Sequence, residues 1–319
     1  MISFWQKLKR PFFVLAPMED VTDTVFRQII IGCGKPDVFF TEFVSCDGLM
    51  SSGFEKVSQR LNFSKEEKPI IAQLFGKNPE NFYKASKLIL KMGFDGIDIN
   101  LGCPEKVILK QGTGGALIGE NDLVKEIFKA TKKGAGKLPV SIKTRIGLKT
   151  IETEKWIGFL LKLNSDALTI HGRTVAELSK VPAHWEEIGK AVRMRNTLGS
   201  KTVIIGNGDI KSYQEGLEKA KNYGVEGVMI GRGVFENPWV FNKDVDIKKI
   251  TPEEKIKVLI DHIKLFEKTW GDKKNFNILK KFFKIYVTGF PGASDLRGKL
   301  METRNFIEVY EIIDKYLKC

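Results

Sequence analysis

The chain repeats one unit eight times: a short apolar run, a loop and an amphipathic helical segment. The runs begin near Phe13, Val38, Ile70, Gly96, Val140, Ala167, Val203 and Gly227. Each is a nearly continuous β-branched or aromatic stretch, such as DVFFTE or TVIIGN. This composition is typical of parallel strands that are covered on both faces. Helical spacing of apolar residues follows between the runs, for example in Pro79–Met92 and in 122–132.

Strand–helix alternation implies right-handed parallel crossovers. Eight units in about 240 residues match a closed (β/α)₈ barrel in number and size. An open doubly wound sheet is the alternative, although such a sheet rarely needs eight regular units. We therefore predict an α/β protein with a TIM barrel over residues 1–242.

The pattern becomes purely helical over residues 243–319, for which we predict a small all-α domain. Thr251-Pro252-Glu253-Glu254 has the form of a helix start, with Thr as the N-cap, Pro at the first position and Glu three residues after the cap. An apolar stripe follows, and a second helix is predicted over 275–287. Gly289-Phe290-Pro291-Gly292 ends it, and two shorter helices are predicted to complete the chain.

Composition restricts the class of protein. No apolar run reaches the roughly 18 residues of a membrane span, and the first ten residues lack a signal peptide's apolar core. We therefore expect a soluble cytoplasmic protein, with a monomer as the default. The cysteines (Cys33, Cys46, Cys103 and Cys319) form no Cys-x-x-Cys pair, and no histidine has metal-ligand spacing, so no disulfide scaffold and no metal site are expected. A net charge of +13 favours a nucleic-acid partner, with a solvated lysine-rich surface as the alternative.

Unusual polar residues follow nearly every predicted strand. The active site of such a barrel is built from loops at the C-terminal ends of the strands. The loops concerned contain Ala16-Pro17-Met18-Glu19-Asp20, Gln73, Asn100-Leu101-Gly102-Cys103-Pro104, Lys143-Thr144-Arg145, His171-Gly172-Arg173-Thr174, Asn207-Gly208-Asp209 and Gly231-Arg232. Each has an ordinary structural explanation when taken alone, but all of them are expected to point into one mouth.

The last two loops predict a phosphate site. Loops after strands seven and eight commonly bind phosphate in these barrels. Gly208 and Gly231 let backbone amides approach an anion, and Arg232 can make paired, charge-assisted bonds to its oxygens. Gln73 and Lys143 would then face the ligand's other end, where an amide and a cation suit a flat heterocycle. An ion pair of Lys143 with Asp98 or with a neighbouring residue is the structural alternative.

In this order, the motifs resemble the dihydrouridine synthase family, from about Phe13 to the C-terminus. The stretch Gln111-Gly112-Thr113-Gly114-Gly115-Ala116-Leu117 also resembles the loop after that family's catalytic cysteine. The resemblance implies FMN as the cofactor. It assigns Pro17, Met18, Gln73, Lys143 and His171 to the isoalloxazine side and Asn207, Gly208, Asp209, Gly231 and Arg232 to the ribityl phosphate.

The reaction that the resemblance implies is reduction of the uracil C5=C6 bond in tRNA, with NADPH as the reductant. Cys103 would protonate C5, since an unperturbed thiol with a pKa near 8.5 stays protonated at pH 7. Asn100 would hold the uracil carbonyl edge, and Arg145 and Arg173 would contact uracil or phosphate. The helical tail would bind RNA through Lys280, Lys281 and Lys284. Ribosomal RNA is the alternative substrate.

Two segments depart from the family pattern. Glu19 stands where many members have a small residue, and residues 175–180 lack the glycine-containing continuation common in bacterial members. These departures leave open which uridine is reduced. The rival functions are an FMN enzyme that acts on free pyrimidines, a non-enzymatic RNA-binding barrel and a non-flavin phosphate-binding barrel.

Overall fold

The computed structural model describes residues 3–318, within which nine strands form one parallel sheet. The strands are β1 (Phe12–Leu15), β2 (Phe39–Phe40), β3 (Val44–Ser45), β4 (Ile70–Phe75), β5 (Gly96–Leu101), β6 (Val140–Arg145), β7 (Ala167–His171), β8 (Val203–Asn207) and β9 (Gly227–Ile230). All eight predicted starting points coincide with observed strand starts to within one residue. Cys319 and the first two residues lie outside the described part of the chain.

The sheet closes on itself. Its order is β1-β9-β8-β7-β6-β5-β4-β2, so the first strand pairs with the last, with Phe12 opposite Gly227. On its other side, β1 meets the β2 segment through a parallel bridge between Val14 and Val38, and the Leu15 amide donates to the Val38 carbonyl at 3.2 Å. The predicted barrel is confirmed, and the open doubly wound sheet is excluded.

The second strand was predicted as one continuous run, but it is interrupted. The structure divides it into β2 and β3, which both run parallel to β4. Between them, the Thr41 hydroxyl accepts from the Gln73 amide at 3.1 Å and donates to the Glu42 carbonyl at 2.7 Å. The Glu42 carboxylate accepts from the Asp20 amide at 2.7 Å. Such side-chain bonds to the backbone compete with strand pairing, which explains the interruption.

The barrel interior changes from apolar at its base to polar at its mouth. Trp5, in the short 3₁₀ helix Phe4–Gln6, is fully buried and closes the base against Phe12 and Phe40. Successive side chains of a strand point to opposite faces, so the inward positions of each strand form stacked layers. Above the apolar layers these positions carry Gln73, Asp98, Ser141, Lys143 and Thr169. A polar ligand is therefore expected only at the mouth.

Fourteen α-helices lie within residues 3–318. Those of the barrel are α1 (Thr24–Cys33), α2 (Cys46–Leu49), α3 (Phe54–Ser58), α4 (Pro79–Met92), α5 (Lys106–Lys110), α6 (Asn121–Ala135), α7 (Gly158–Lys162), α8 (Trp185–Thr197), α9 (Tyr213–Tyr223) and α10 (Gly233–Glu236). The tail contains α11 (Pro252–Trp270), α12 (Asn277–Tyr286), α13 (Ala293–Glu302) and α14 (Phe306–Leu317). In the described part of the chain, no helix is both long and apolar enough to cross a membrane.

The helical tail begins as the sequence predicts. Thr251 and Glu254 form the expected capping box, with Pro252 at the first position of α11. The second helix is α12, but α13 and α14 have 10 and 12 residues against 10 in α12, so the last two helices are not shorter. The tail packs on α1 of the barrel, where Phe26 stacks on Phe282 at 5.2 Å. The domain boundary after residue 242 stays a prediction.

Candidate active site at the barrel mouth

A buried chain of hydrogen bonds forms one side of the mouth. The Gln73 amide nitrogen donates to Asp98 at 2.8 Å, and the Asn100 amide nitrogen donates to the Gln73 oxygen at 3.0 Å. The Ser141 hydroxyl donates to the other Asp98 oxygen at 2.6 Å. Burial raises the pKa of Asp98 to about 6, although its hydrogen bonds and Lys143 oppose that shift. One N–H and one oxygen lone pair of Gln73 are left for a ligand.

The Cys103 loop is shaped by Asn100. The Asn100 side-chain oxygen accepts from the backbone amides of Gly102 and Cys103 at 3.1 and 3.0 Å. Cys103 is 8% exposed, and its side chain packs with Phe43 and Ile108. Burial raises the pKa of Cys103 to about 11, and two nearby carboxylates, of Glu105 and Glu19, act in the same direction. Cys103 is therefore a thiol at neutral pH, held at a fixed point of the mouth.

Cations gather next to this chain of hydrogen bonds, beginning at the end of β6. The Lys143 ammonium donates to the Asn207 side-chain oxygen at 3.3 Å. It forms no direct ion pair with Asp98 within the described residues, although each charge shifts the pKa of the other group. Whether Lys143 has a structural or a ligand-binding role therefore stays a prediction. Burial, and then the charge of Arg145, lowers the pKa of Lys143 to about 8. At pH 7 about nine tenths of this lysine is still charged.

The pKa of His171 shows that the mouth has a positive electrostatic potential. Its pKa lies well below the ordinary value because the ring is buried and because four cations surround it: Arg145, Lys143, Arg173 and Arg232. The ring is therefore neutral at physiological pH. Asp209 offsets part of this charge through Arg173 and Arg232, but the remaining excess of cations favours an anionic ligand.

Two of these arginines are held by the protein itself. The Arg145 guanidinium donates to the carbonyls of Gly102, Thr174 and Leu178 at 3.0, 2.9 and 3.2 Å. It thus ties the Cys103 loop to the loop after β7. Arg173 is paired with Asp209 and donates to the Val181 carbonyl at 2.6 Å. Contact of these two side chains with substrate stays a prediction, whereas their role in holding the loops is observed.

The loops after β8 and β9 form the most open part of the site. Gly208 has a φ of +134°, and a Cβ there would lie 2.6 Å from the Ala183 side chain. Asp209 has a φ of +54°, which is uncommon for a residue other than glycine. The Arg232 side chain is 61% exposed, and its guanidinium lies 3.8 Å from the Asp209 carboxylate. The exposed Arg232 side chain is therefore free to reorient and bind an anion here.

The first and last strands bring their loops together. A Cβ on Gly231 would lie 3.5 Å from the Ala16 side chain and 3.8 Å from the Met18 sulfur. Glycine at this position therefore leaves a gap beside Met18 and the half-buried Pro17. The loops after β1 and β9 therefore meet at one end of the barrel, and binding of a cofactor by these residues stays a prediction.

The predicted RNA-binding lysines have three different environments. Lys280 donates to the Met301 carbonyl at 2.9 Å, so its ammonium has a partner within the tail. Lys281 is exposed overall, but partial burial of its ammonium lowers its pKa. Nearby carboxylates of the barrel loops, Asp20 and Glu42 among them, oppose that shift. Lys284 is exposed on α12. Lys281 is thus the member of the set that lies nearest the mouth.

The sequence interpretation missed a junction between the first barrel loop and the tail. The Asp23 carboxylate accepts from the Trp270 indole and the Lys274 ammonium, both at 2.8 Å, and from the Phe26 amide at 3.0 Å. Nearby, one oxygen of the buried Glu42 carboxylate has no hydrogen-bond partner. Glu42 is the last residue of the second run, DVFFTE, which was a usable signal, but no local pattern links Asp23 to Trp270 and Lys274 in the tail.

The described residues contain no cluster of three or more His, Cys, Asp or Glu side chains suited to a metal ion.

Comparisons with known proteins identify what the chain is similar to. Residues 14–318 match the model of the family described as dihydrouridine synthase (Dus). A "Probable tRNA-dihydrouridine synthase" of Staphylococcus aureus strain COL is 44% identical over 317 residues, covering 98% of this chain and 95% of the relative. A "Probable tRNA-dihydrouridine synthase 2" of Bacillus subtilis strain 168 is 43% identical, with 98% and 96% covered.

Solved structures share the fold at much lower identity. A DHODH from Eimeria tenella, in complex with ferulenol, superposes with a TM-score of 0.54 at 12% identity, covering 80% of this chain and 81% of that one. A morphinone reductase gives a TM-score of 0.50 at 13% identity, covering 78% and 91%. These likenesses establish the barrel fold.

Proposed function

Because the chain belongs to the dihydrouridine synthase family, and is therefore an oxidoreductase, we propose that it reduces the C5=C6 bond of uridines in tRNA. The proposed cofactor is FMN and the proposed reductant is NADPH. The observation that carries the proposal is the placement of Cys103. Its protonated thiol shares the mouth with an excess of positive charge, and Arg145 is bound to the Cys103 loop itself, so a proton donor and an anion site share one opening.

The residues present fit FMN. Gln73 has one donor and one acceptor position that no protein group uses, Gly231 leaves a gap beside Met18, and the excess of cations matches a phosphate. Gln73, Lys143, His171, Pro17 and Met18 would hold the ring system. The phosphate would be held by Arg232 and the backbone amides of the glycine loops, Asn207 to Asp209 and Gly231. When bound, FMN supplies the hydride that reaches C6 of the uracil.

Asp209 would serve this phosphate site through its backbone. Its carboxylate already accepts from Arg173 and from the Ala183 amide at 2.8 Å. A carboxylate would repel phosphate, but here it holds the arginine side chains in place. Its φ of +54° is a backbone conformation that residues other than glycine seldom adopt.

The proton at C5 would come from Cys103. With its pKa raised by burial to about 11, the thiol stays protonated throughout the physiological range. Once C5 has taken the proton, the thiolate would recover one from solvent, because the residue is not fully buried. Asn100 holds the loop rigid through its side-chain oxygen and has one amide hydrogen left for a uracil carbonyl. Lys143 would stabilise negative charge that develops in the mouth.

The RNA would be gripped beside the mouth by the helical tail. A base in folded RNA must leave its stack to reach a pocket at the top of a barrel. Lys281 and Lys284 are exposed on α12 and would contact the phosphate backbone, which gives affinity without sequence reading. Lys280 would contribute less because the Met301 carbonyl holds its ammonium.

A direct assay tests this function. The purified protein is examined for a flavin spectrum and then incubated with NADPH and unmodified tRNA, unmodified ribosomal RNA, or free uridine and uracil. We expect a yellow protein that forms dihydrouridine in tRNA only. A colourless protein that gains no flavin from added FMN would contradict the cofactor assignment. Activity confined to free pyrimidines or to ribosomal RNA would contradict the substrate assignment.

A further inference from the structure

A second pocket opens beside the Cys103 loop, at the ends of strands β3 and β4. Its volume is about 270 Å³, which is room for roughly nine water molecules at the volume each occupies in the liquid. Its lining includes Ser45, Asp47, Phe75, Lys77, Gln111 and Thr113. The proposed function gives none of these side chains a role.

Two walls of this pocket are built onto the Cys103 loop. Phe75 packs against the cluster that contains Cys103 and meets the Phe43 ring edge-on at 5.2 Å. On the other wall, the Thr113 amide donates to the Ile108 carbonyl at 3.2 Å, and the Gly115 amide donates to the Cys103 carbonyl at 3.0 Å. A group bound in the pocket is therefore one residue layer away from the thiol.

The pocket combines an aromatic ring with uncommitted polar groups. Phe75 is partly exposed, and within residues 3–318 neither the Lys77 ammonium nor the Gln111 side-chain amide has a hydrogen-bond or ion-pair partner. One Asp47 oxygen accepts from the Asn81 amide at 2.6 Å, which leaves the other oxygen available. Aromatic rings stack on bases, ammonium groups attract phosphates and a carboxylate accepts from a ribose 2′-hydroxyl.

We propose that this pocket binds one of the two nucleotides that flank the target uridine. The inference rests on the proposed function, since a flanking nucleotide exists only when the uracil that reaches Cys103 is part of an RNA chain. The base lies on Phe75, a phosphate contacts Lys77 and the ribose hydroxyl donates to Asp47. Holding a neighbour keeps the flipped uridine from sliding past the thiol, so the pocket contributes to the choice of position.

The test uses the full-length holoenzyme and tRNA transcripts in which the reduced uridine has been located by sequencing. Lys77→Ala and Gln111→Ala are compared with Lys125→Ala, which removes an exposed lysine of α6 away from the pocket. Lys77→Ala is expected to weaken tRNA binding and to reduce the salt slope by about one. Lys125→Ala should bind tRNA as wild type does. In all three variants, the rate of flavin reduction by NADPH should equal the wild-type rate.

A change in the RNA tests the same contact from the other side. Transcripts carry an abasic site on either side of the target uridine. At one of the two positions we expect tRNA affinity to fall at least about fivefold, the lower end of the range for one stacked base. Phe75→Leu keeps apolar bulk against Cys103 but loses the stacking face, so it should bind the intact and the abasic transcript more equally than wild type does.

The outcomes separate the pocket from the function. Suppose that wild type forms dihydrouridine, that Lys77→Ala binds tRNA with wild-type affinity, and that both abasic transcripts bind as tightly as the intact one. The pocket proposal is then overturned and the function stands. A raised KM for NADPH with unchanged tRNA binding would assign the pocket to the reductant and also overturn it. If wild type modifies no RNA, the proposed function fails and the inference fails with it.

Discussion

Replacing Asp23 by alanine removes three hydrogen bonds from the junction between the first barrel loop and the tail. The carboxylate caps α1 at the Phe26 amide and holds the Trp270 indole and the Lys274 ammonium, each at 2.8 Å. An N-cap contributes about 1 kcal/mol, and a buried donor left without an acceptor costs about 1–3 kcal/mol. With the Lys274 charge also left unpaired, we expect unfolding to become easier by about 3–5 kcal/mol.

Asp23→Asn is the graded companion to this change. Asparagine keeps a capping oxygen but loses the charge opposite Lys274, so the expected cost is about 1–3 kcal/mol. The free energy of unfolding is measured by urea titration, followed by both tryptophan fluorescence and circular dichroism so that a separate unfolding of the tail is detected. Asp272→Asn, at an exposed acid next to α11, is the matched control and should leave the urea midpoint unchanged.

A double-mutant cycle with Lys274→Met decides whether the ion pair exists in solution. Contacting residues couple by about 0.5–3 kcal/mol. If the effects of Asp23→Ala and Lys274→Met simply add, the junction does not form as described and the reasoning is refuted.

The pH dependence of the same junction has a definite sign. Burial raises the pKa of Asp23, but the charge and hydrogen bond of Lys274 outweigh it, so the folded-state pKa lies below the ordinary value. A carboxylate with a lowered folded pKa stabilises the protein above its unfolded pKa of about 3.9. That contribution is lost as the pH falls through the folded pKa. The stability difference between wild type and Asp23→Asn should therefore be constant near neutral pH and shrink below about pH 4.

Three further predictions concern the site and the core. Gly208→Ala places a Cβ 2.6 Å from the Ala183 side chain at a φ of +134°. FMN affinity, measured by fluorescence titration, should therefore fall at least about tenfold, which corresponds to about 1.4 kcal/mol. Normal affinity would contradict the phosphate assignment. Arg27→Met leaves the fully buried Glu67 carboxylate without its cationic partner. The free energy of unfolding, measured by urea titration, should therefore fall by about 3–5 kcal/mol. A fall of under about 1 kcal/mol would show that the ion pair does not stabilise the fold. FMN binding should weaken as the pH rises through about 8, where Lys143 loses its charge, and Lys143→Gln should remove that dependence.

The barrel was predictable because its signal is local and repeated. Each apolar run specifies a strand by composition, and eight such runs admit few closed arrangements. The second strand was predicted only in part. Its interruption depends on Thr41 binding the Gln73 amide and on Glu42 binding the Asp20 amide, and these bonds join separate units of the repeat.

The site was predictable as a set of positions and less so as a set of contacts. Strand ends in a parallel barrel share one face, so residues after the strands had to meet there. Which of them are already occupied depends on side-chain geometry. Arg145 and Arg173 carry charge suited to RNA, yet backbone carbonyls and Asp209 hold them. The Asp23 junction and the second pocket depend on contacts between distant segments, for which no spacing rule exists.

The measurement that most directly tests the central claim follows the two half-reactions of Cys103→Ala separately. Stopped-flow absorbance records flavin reduction by NADPH and then reoxidation of the reduced flavin by tRNA under single-turnover conditions. We predict a normal first rate and a second rate slowed by about 10²–10⁴, the usual contribution of a general acid. Cys46→Ala, at the fully buried Cys46, is the matched control and should retain both rates. A Cys103→Ala enzyme that tRNA reoxidises at the wild-type rate would contradict the account.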